Sequence, residues 1–239
     1  MAEYTERVQQ LFSRELRENE RLRSLQAKVE KGIATYKDAE KFAELVGKAY
    51  ADSFKDVVGS AGDVGGDLYF EIAQEVFPPG LHSIYASTSE YVEQVQRLQN
   101  RSIGVGLRPV VPDYGEVQSD YLRKLAEVRE ASAMDQVISS ESTWYAQKIV
   151  DATLRMNAEA HENAGLEVSV TRIYDGVGVH RRKDPCEWCL SRCGEDMTLA
   201  EAKEKDTFSR HPGCGCTIIY RSARGKVTKR VGGGWWQEV

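Results

Sequence analysis

Apolar positions recur at helical spacing through the first 165 residues and alternate only beyond them. Val8, Leu11, Phe12 and Leu16 share one face, and Leu22, Leu25 and Val29 resume it after a slip. Gly32 and Ile33 close this first helix, and Thr35 is an N-cap for the next. There Ala39, Phe42, Ala43, Val46, Ala49, Tyr50 and Phe54 form one stripe, broken by the glycines between 59 and 66. A third helix is predicted over about 67–76. Pro78-Pro79-Gly80 should end it, since proline removes a backbone donor. Spacing resumes at Tyr91, Val92, Val95 and Leu98, and again at Tyr121, Leu122, Leu125 and Val128. Between them, 104–115 reads as a loop or a hinge. A long helix is expected from about 142 to 163, with Trp144, Ile149, Ala152, Thr153 and Met156 inward and Gly165 as its stop.

The pattern then changes period. Residues 166–174 alternate apolar and polar, which predicts a strand, and 217–220 are β-branched or aromatic, which predicts a second. A short helix is expected over 198–205. The fold class is therefore mainly α: an elongated helical body (1–165), a small α+β zinc-knuckle domain (166–222), and a flexible basic Gly/Trp tail (223–239).

Composition adds bounds. The 239 residues are 41% hydrophobic and 29% charged, enough for a real core in one or two domains. No apolar run reaches membrane-spanning length, and the charged first residues do not resemble a secretory signal. A chain folding in a cytoplasm keeps its thiols reduced, which favours metal over disulfide for clustered cysteines. The net charge of −5 is uneven. Residues 1–165 carry 19 Lys/Arg against 27 Asp/Glu, a balance of −8, and residues 166–239 carry 13 against 10, a balance of +3. Arg221, Arg224, Lys226, Lys229 and Arg230 make the end of the chain basic, the pattern of a segment that meets DNA or an acidic partner. Trp235 and Trp236, after three glycines, suit an interface anchor.

All five cysteines fall between 186 and 216. Cys186 and Cys189 are two residues apart, so one tight turn can present both thiols. His211, Cys214 and Cys216 supply a second group. Thiolate and imidazole donors of this kind suit tetrahedral zinc. Five candidates compete for four places. The simplest set is Cys186, Cys189, His211 and Cys216, with Cys214 able to replace either of the last two. Cys193 is left over. Reduced, metal-free cysteines packed as small hydrophobes are the plainer alternative. A surplus of protein ligands favours a closed structural site over an open catalytic one.

Two enzyme readings of a zinc-dependent nucleic-acid enzyme compete. Pro185-Cys-Glu-Trp-Cys189 fits half of the zinc deaminase signature, with His161 upstream, but Asn163 stands where the catalytic glutamate belongs and Glu162 points elsewhere. A treble-clef nuclease would need a catalytic histidine such as His180, beside Arg181 and Arg182.

The whole arrangement resembles a known family. A long helix leads to a strand bearing Arg172. Then come Asp184-x-Cys186-x-x-Cys189, Gly194, and His211-Pro-x-Cys214-x-Cys216 ahead of a strand. This resembles the C-terminal knuckle of tailed-phage minor head proteins of the Mu F type, over roughly residues 145–222. Cys193 departs from the pattern. The resemblance implies a virion structural protein and not an enzyme. It would be made in the host cytoplasm and sit inside the capsid beside the portal. Its roles would be in head morphogenesis and DNA packaging or ejection. The implied partners are the portal protein, the major capsid protein and packaged double-stranded DNA, with no membrane. The implied cofactor is structural zinc.

Overall fold

A computed structural model describes residues 2–117, 119–128, 130–174, 185–211, 213–224, 228–231 and 235–238. The helical body begins with α1 (Ala2–Glu18) and α2 (Glu20–Glu30). The sequence slip is a real break. The Asn19 side chain caps α2 by accepting from the Arg21 and Leu22 amides, so one predicted helix is two. Next come α3 (Tyr36–Val58), a short α4 (Ala61–Val64) in the glycine-rich segment, α5 (Gly66–Ser102), α6 (Tyr121–Glu127) and α7 (Ala131–Asn163). No described helix is long and apolar enough to cross a membrane.

Two helix boundaries differ from expectation. Helix α5 runs on through Pro78 and Pro79. Their missing amides free the carbonyls of Gln74 and Glu75, whose residues are exposed, so water can take up those acceptors. The flanking Val76, Phe77, Leu81 and Ile84 are buried and hold both halves in line. Packing thus overrides the local breaker. Helix α7 begins eleven residues before the predicted Ser142, because Ile138 enters the core from a polar stretch. Its inward face is also rotated. Tyr145, Ile149, Val150, Leu154 and Ala158 are buried, whereas Trp144, Ala152 and Met156 are half-buried.

Helix α3 is central, packing on α1, α5 and α7. Its predicted stripe is buried throughout. Phe42 stacks on Tyr91 at 4.0 Å between ring centroids, and Tyr50 meets Phe12 and Phe77 edge-on. At Gly47 the α3 and α7 backbones nearly touch: a Cβ there would lie 2.4 Å from Thr143 Cα. Segment 104–115 lies pinned across the helices. Asn157 of α7 bonds both the amide and the carbonyl of Val110, Asn100 donates to Leu107 O, and Tyr85 donates to Pro112 O.

Beyond α7, Gly165 adopts φ 82° and the chain turns into β1 (Leu166–Tyr174). Then come α8 (Glu187–Leu190), β2 (Gly194–Thr198), α9 (Leu199–Glu204) and β3 (Cys216–Arg224). The antiparallel sheet has order β2-β1-β3, with Tyr174 opposite Cys216 and Leu166 opposite Arg224. Val170, Met197, Leu199, Ala202, Ile218 and Tyr220 join the same buried cluster as the helices, so sheet and body share one core. In the basic tail, β4 (Thr228–Val231) pairs with β5 (Trp235–Glu238), placing Arg230 opposite Trp236. The segment expected to be flexible therefore carries a two-stranded pairing, formed from strand-prone Thr, Val and Trp.

Candidate metal centre

The two sequence-predicted ligand groups converge. Cys186 caps the single turn α8, and Cys189 faces inward from it. His211, Cys214 and the first residue of β3, Cys216, arrive from the other side. The Cys186 and Cys189 sulfurs lie 3.4 and 3.1 Å from His211 Nε2, and Cys189 Sγ lies 3.6 Å from Cys214 Sγ. Two mutually close ligand groups result, Cys186–Cys189–His211 and Cys189–Cys214–Cys216, with Cys189 common to both. Cys189, Cys214 and Cys216 are buried. These residues can hold a metal ion. Cys193 packs against the cluster without joining either ligand group.

Burial and mutual contact govern the protonation of the sulfurs. Burial, and then neighbouring Cys214, pushes the Cys189 thiol up to about 12. A hydrogen bond with Cys216, and then burial, raises Cys214 further. Both thiols therefore keep their protons near neutral pH unless a metal displaces them.

Two buried arginines frame the site, and their role was not visible in the sequence. Arg172 of β1 is fully buried. Its Nη1 donates to the Thr207 and Ser209 carbonyls, each at 2.6 Å, and its Nη2 donates to Cys214 Sγ at 3.4 Å. Arg210 directly precedes the ligand His211. Its Nε and Nη2 reach both carboxylate oxygens of Asp151 (α7) at 2.7 and 2.9 Å. Nη2 also reaches Glu40 (α3) at 2.6 Å, and Nη1 donates to the Cys216 carbonyl at 3.0 Å. Burial opposes the Arg210 charge, yet Asp151 and Glu40 hold it firmly. Burial pushes the Glu40 carboxyl well up, against the pull of Arg210. One signal existed: Asp151 interrupts the inward run Ile149-Val150, and a carboxylate there requires a partner. The partner's identity came only from the fold. Trp188 completes the frame, edge-on to His211 at 5.0 Å and under the Arg192 guanidinium at 3.9 Å. A cleft of about 630 Å³ opens beside Arg210, lined by Trp144, Lys148, Arg155 and Phe208.

His161 lies in a different buried network. Asn100 donates through Nδ2 to Leu107, so its Oδ1 accepts from His161 Nε2 at 3.0 Å, and the Ser222 hydroxyl lies 2.6 Å from Nδ1. Gln96 donates to Asn100 and to the Tyr220 hydroxyl, and accepts from Tyr36. Both nitrogens of His161 are thus occupied in holding α5, α7 and β3 together. His180, Arg181 and Arg182 lie outside the described residues. Among the tail residues, exposed Arg221 faces Asp196 at 3.8 Å. Arg224 ends β3, Lys229 and Arg230 lie in β4, Trp235 and Trp236 lie in β5, and Lys226 is outside the described residues. The basic and aromatic positions are therefore spread over two sheets.

No protein-family model, curated protein or solved structure matches this chain.

Proposed function

We propose that this chain is a structural protein of a tailed-phage virion, a minor head protein seated at the portal, whose C-terminal knuckle is stapled by zinc. The observation that carries the reading is the convergence of Cys186-x-x-Cys189 with His211-x-x-Cys214-x-Cys216 into two ligand groups that share the buried Cys189. Tetrahedral zinc with bonds of about 2.3 Å to sulfur and 2.0–2.1 Å to nitrogen separates its ligands by roughly 3.5–3.8 Å. The 3.6 Å sulfur–sulfur separation falls in that range, and the 3.4 and 3.1 Å sulfur–nitrogen separations are somewhat shorter. The motif order around these ligands supports the Mu F resemblance, and the basic tail suits packaged DNA, where binding would weaken as salt rises. His161, which a deaminase would need as a ligand, is already spent on Ser222 and Asn100.

Two measurements test this. Protein purified without chelators should contain one zinc per chain by elemental mass spectrometry. In lysates of the producing host, the chain should sediment with portal-containing heads, and deleting residues 232–239 should lower its copy number there. A metal-free, fully folded chain would overturn the staple. A chain absent from heads would overturn the virion role.

A further inference from the structure

The Arg210 side chain joins two things that the chain brings together only on folding. Toward the centre, it is the residue before His211, and its Nη1 holds the Cys216 carbonyl, so it restrains both flanks of the second ligand group. Toward the body, its guanidinium is clamped by Asp151 of α7 and Glu40 of α3, residues 59 and 170 positions away. The Trp144 indole donates to the Arg210 carbonyl at 2.8 Å, fixing its backbone to α7 as well. The segment so held has little regular structure of its own. Between Glu204 and Cys216 it contains no helix or strand among the described residues, only turns stabilised by Arg172, Arg210 and the ligand cluster. A segment of this kind is ordered by what it binds. An ion at one end and two carboxylates at the other therefore act on the same order–disorder equilibrium.

We infer that Arg210 is a positioning residue that links metal occupancy to the packing of α3 and α7, so that each strengthens the other. The inference rests on the metal reading above. It adds that the affinity of the centre is set partly by Glu40 and Asp151, which are not ligands. Because linkage is reciprocal, whatever factor the carboxylate contacts add to metal affinity, the bound ion adds to the equilibrium that forms those contacts. Couplings of this kind span roughly 5- to 150-fold in affinity. A bidentate buried pair next to a ligand belongs in the upper part of that range, so Asp151→Asn should weaken the metal at least tenfold.

The experiment uses the full chain. Zinc affinity is measured by competition with a chromophoric chelator for wild type, Asp151→Asn, Glu40→Gln and Val8→Ala. Val8 is buried in α1, which carries none of the candidate ligands or Arg210 partners, so its variant controls for general destabilisation. Asp151→Asn should bind zinc at least about tenfold and Glu40→Gln at least about fivefold more weakly, and Val8→Ala as wild type. In parallel, hydrogen exchange of wild-type amides around 40 and 151 should quicken when zinc is stripped, while amides around Val8 change little. This second measurement holds even if Asp151→Asn fails to fold. Wild-type affinity in both folded carboxylate variants, or unchanged exchange around 40 and 151, overturns the linkage alone. A wild type that binds no zinc overturns the metal reading and the linkage with it.

Discussion

At the scale of single residues, the buried polar groups carry the most specific consequences. His161 lies in the core with Nε2 donating to Asn100 and Nδ1 2.6 Å from the Ser222 hydroxyl. Burial lowers its pKa from the ordinary imidazole value. Above about pH 6.5 both folded and unfolded chains carry it neutral and it imposes no penalty. Below that, the unfolded chain takes a proton that the fold resists, so stability falls with pH until the depressed folded pKa is passed. Urea midpoints at pH 7.5 and 5.5 should therefore drop more for wild type than for His161→Gln, and equal drops would show that another group is responsible. Arg172 gives a sharper case. Arg172→Met keeps much of the volume but strips the donor from the buried Thr207 carbonyl, the part-buried Ser209 carbonyl and a sulfur, and should cost about 3 kcal/mol in chemical denaturation. A loss under 0.5 kcal/mol would mean that water replaces those bonds.

Among the elements, close approach and continuity decide the architecture. Helices α3 and α7 cross so tightly at Gly47 that a methyl group would strike the Thr143 backbone, which cannot move as a side chain can. Gly47→Ala should lower stability by about 2 kcal/mol through overpacking, with a matching fall in thermal midpoint and far-UV helicity retained. An unchanged midpoint would require the two helices to slide apart at no cost. Much at this scale was legible in the sequence. The α3 stripe, the α6 positions, β1 and the short helix before the second ligand group follow from period and capping alone. What period could not resolve was where a local signal yields. Pro78-Pro79 lies within α5 because the residues whose carbonyls are freed are exposed and the apolar flanks are buried. The start of α7 stayed hidden because its first turns are polar and gain their place by contact with the rest of the body.

Among the described residues, the helices and the three-stranded sheet share one core, with a sulfur-rich cluster beside it. Sheet residues Val170, Ile218 and Tyr220 pack with the helices, and the ligand cluster lies at the edge of that shared interior. Stripping the metal with a strong chelator should therefore abolish amide protection between about 205 and 216 and lower the thermal midpoint by several degrees, while most helical circular dichroism remains. Wholesale loss of helicity would make the centre the nucleus of the fold instead of its staple.

By itself the sequence determined which residues could bind a metal and the type of most of the longer elements, though not where several of them begin and end. Cys186-x-x-Cys189 and His211-x-x-Cys214-x-Cys216 are short-range patterns, and period and donor chemistry are local properties of a chain. The tertiary structure decided that Arg210 would meet Glu40 and Asp151, that Arg172 would face Cys214, and that His161 would be used up in the core. Those are contacts between residues as many as 170 positions apart. Their energies depend on burial, which removes water as the competing partner, and burial is a property that only the folded chain has.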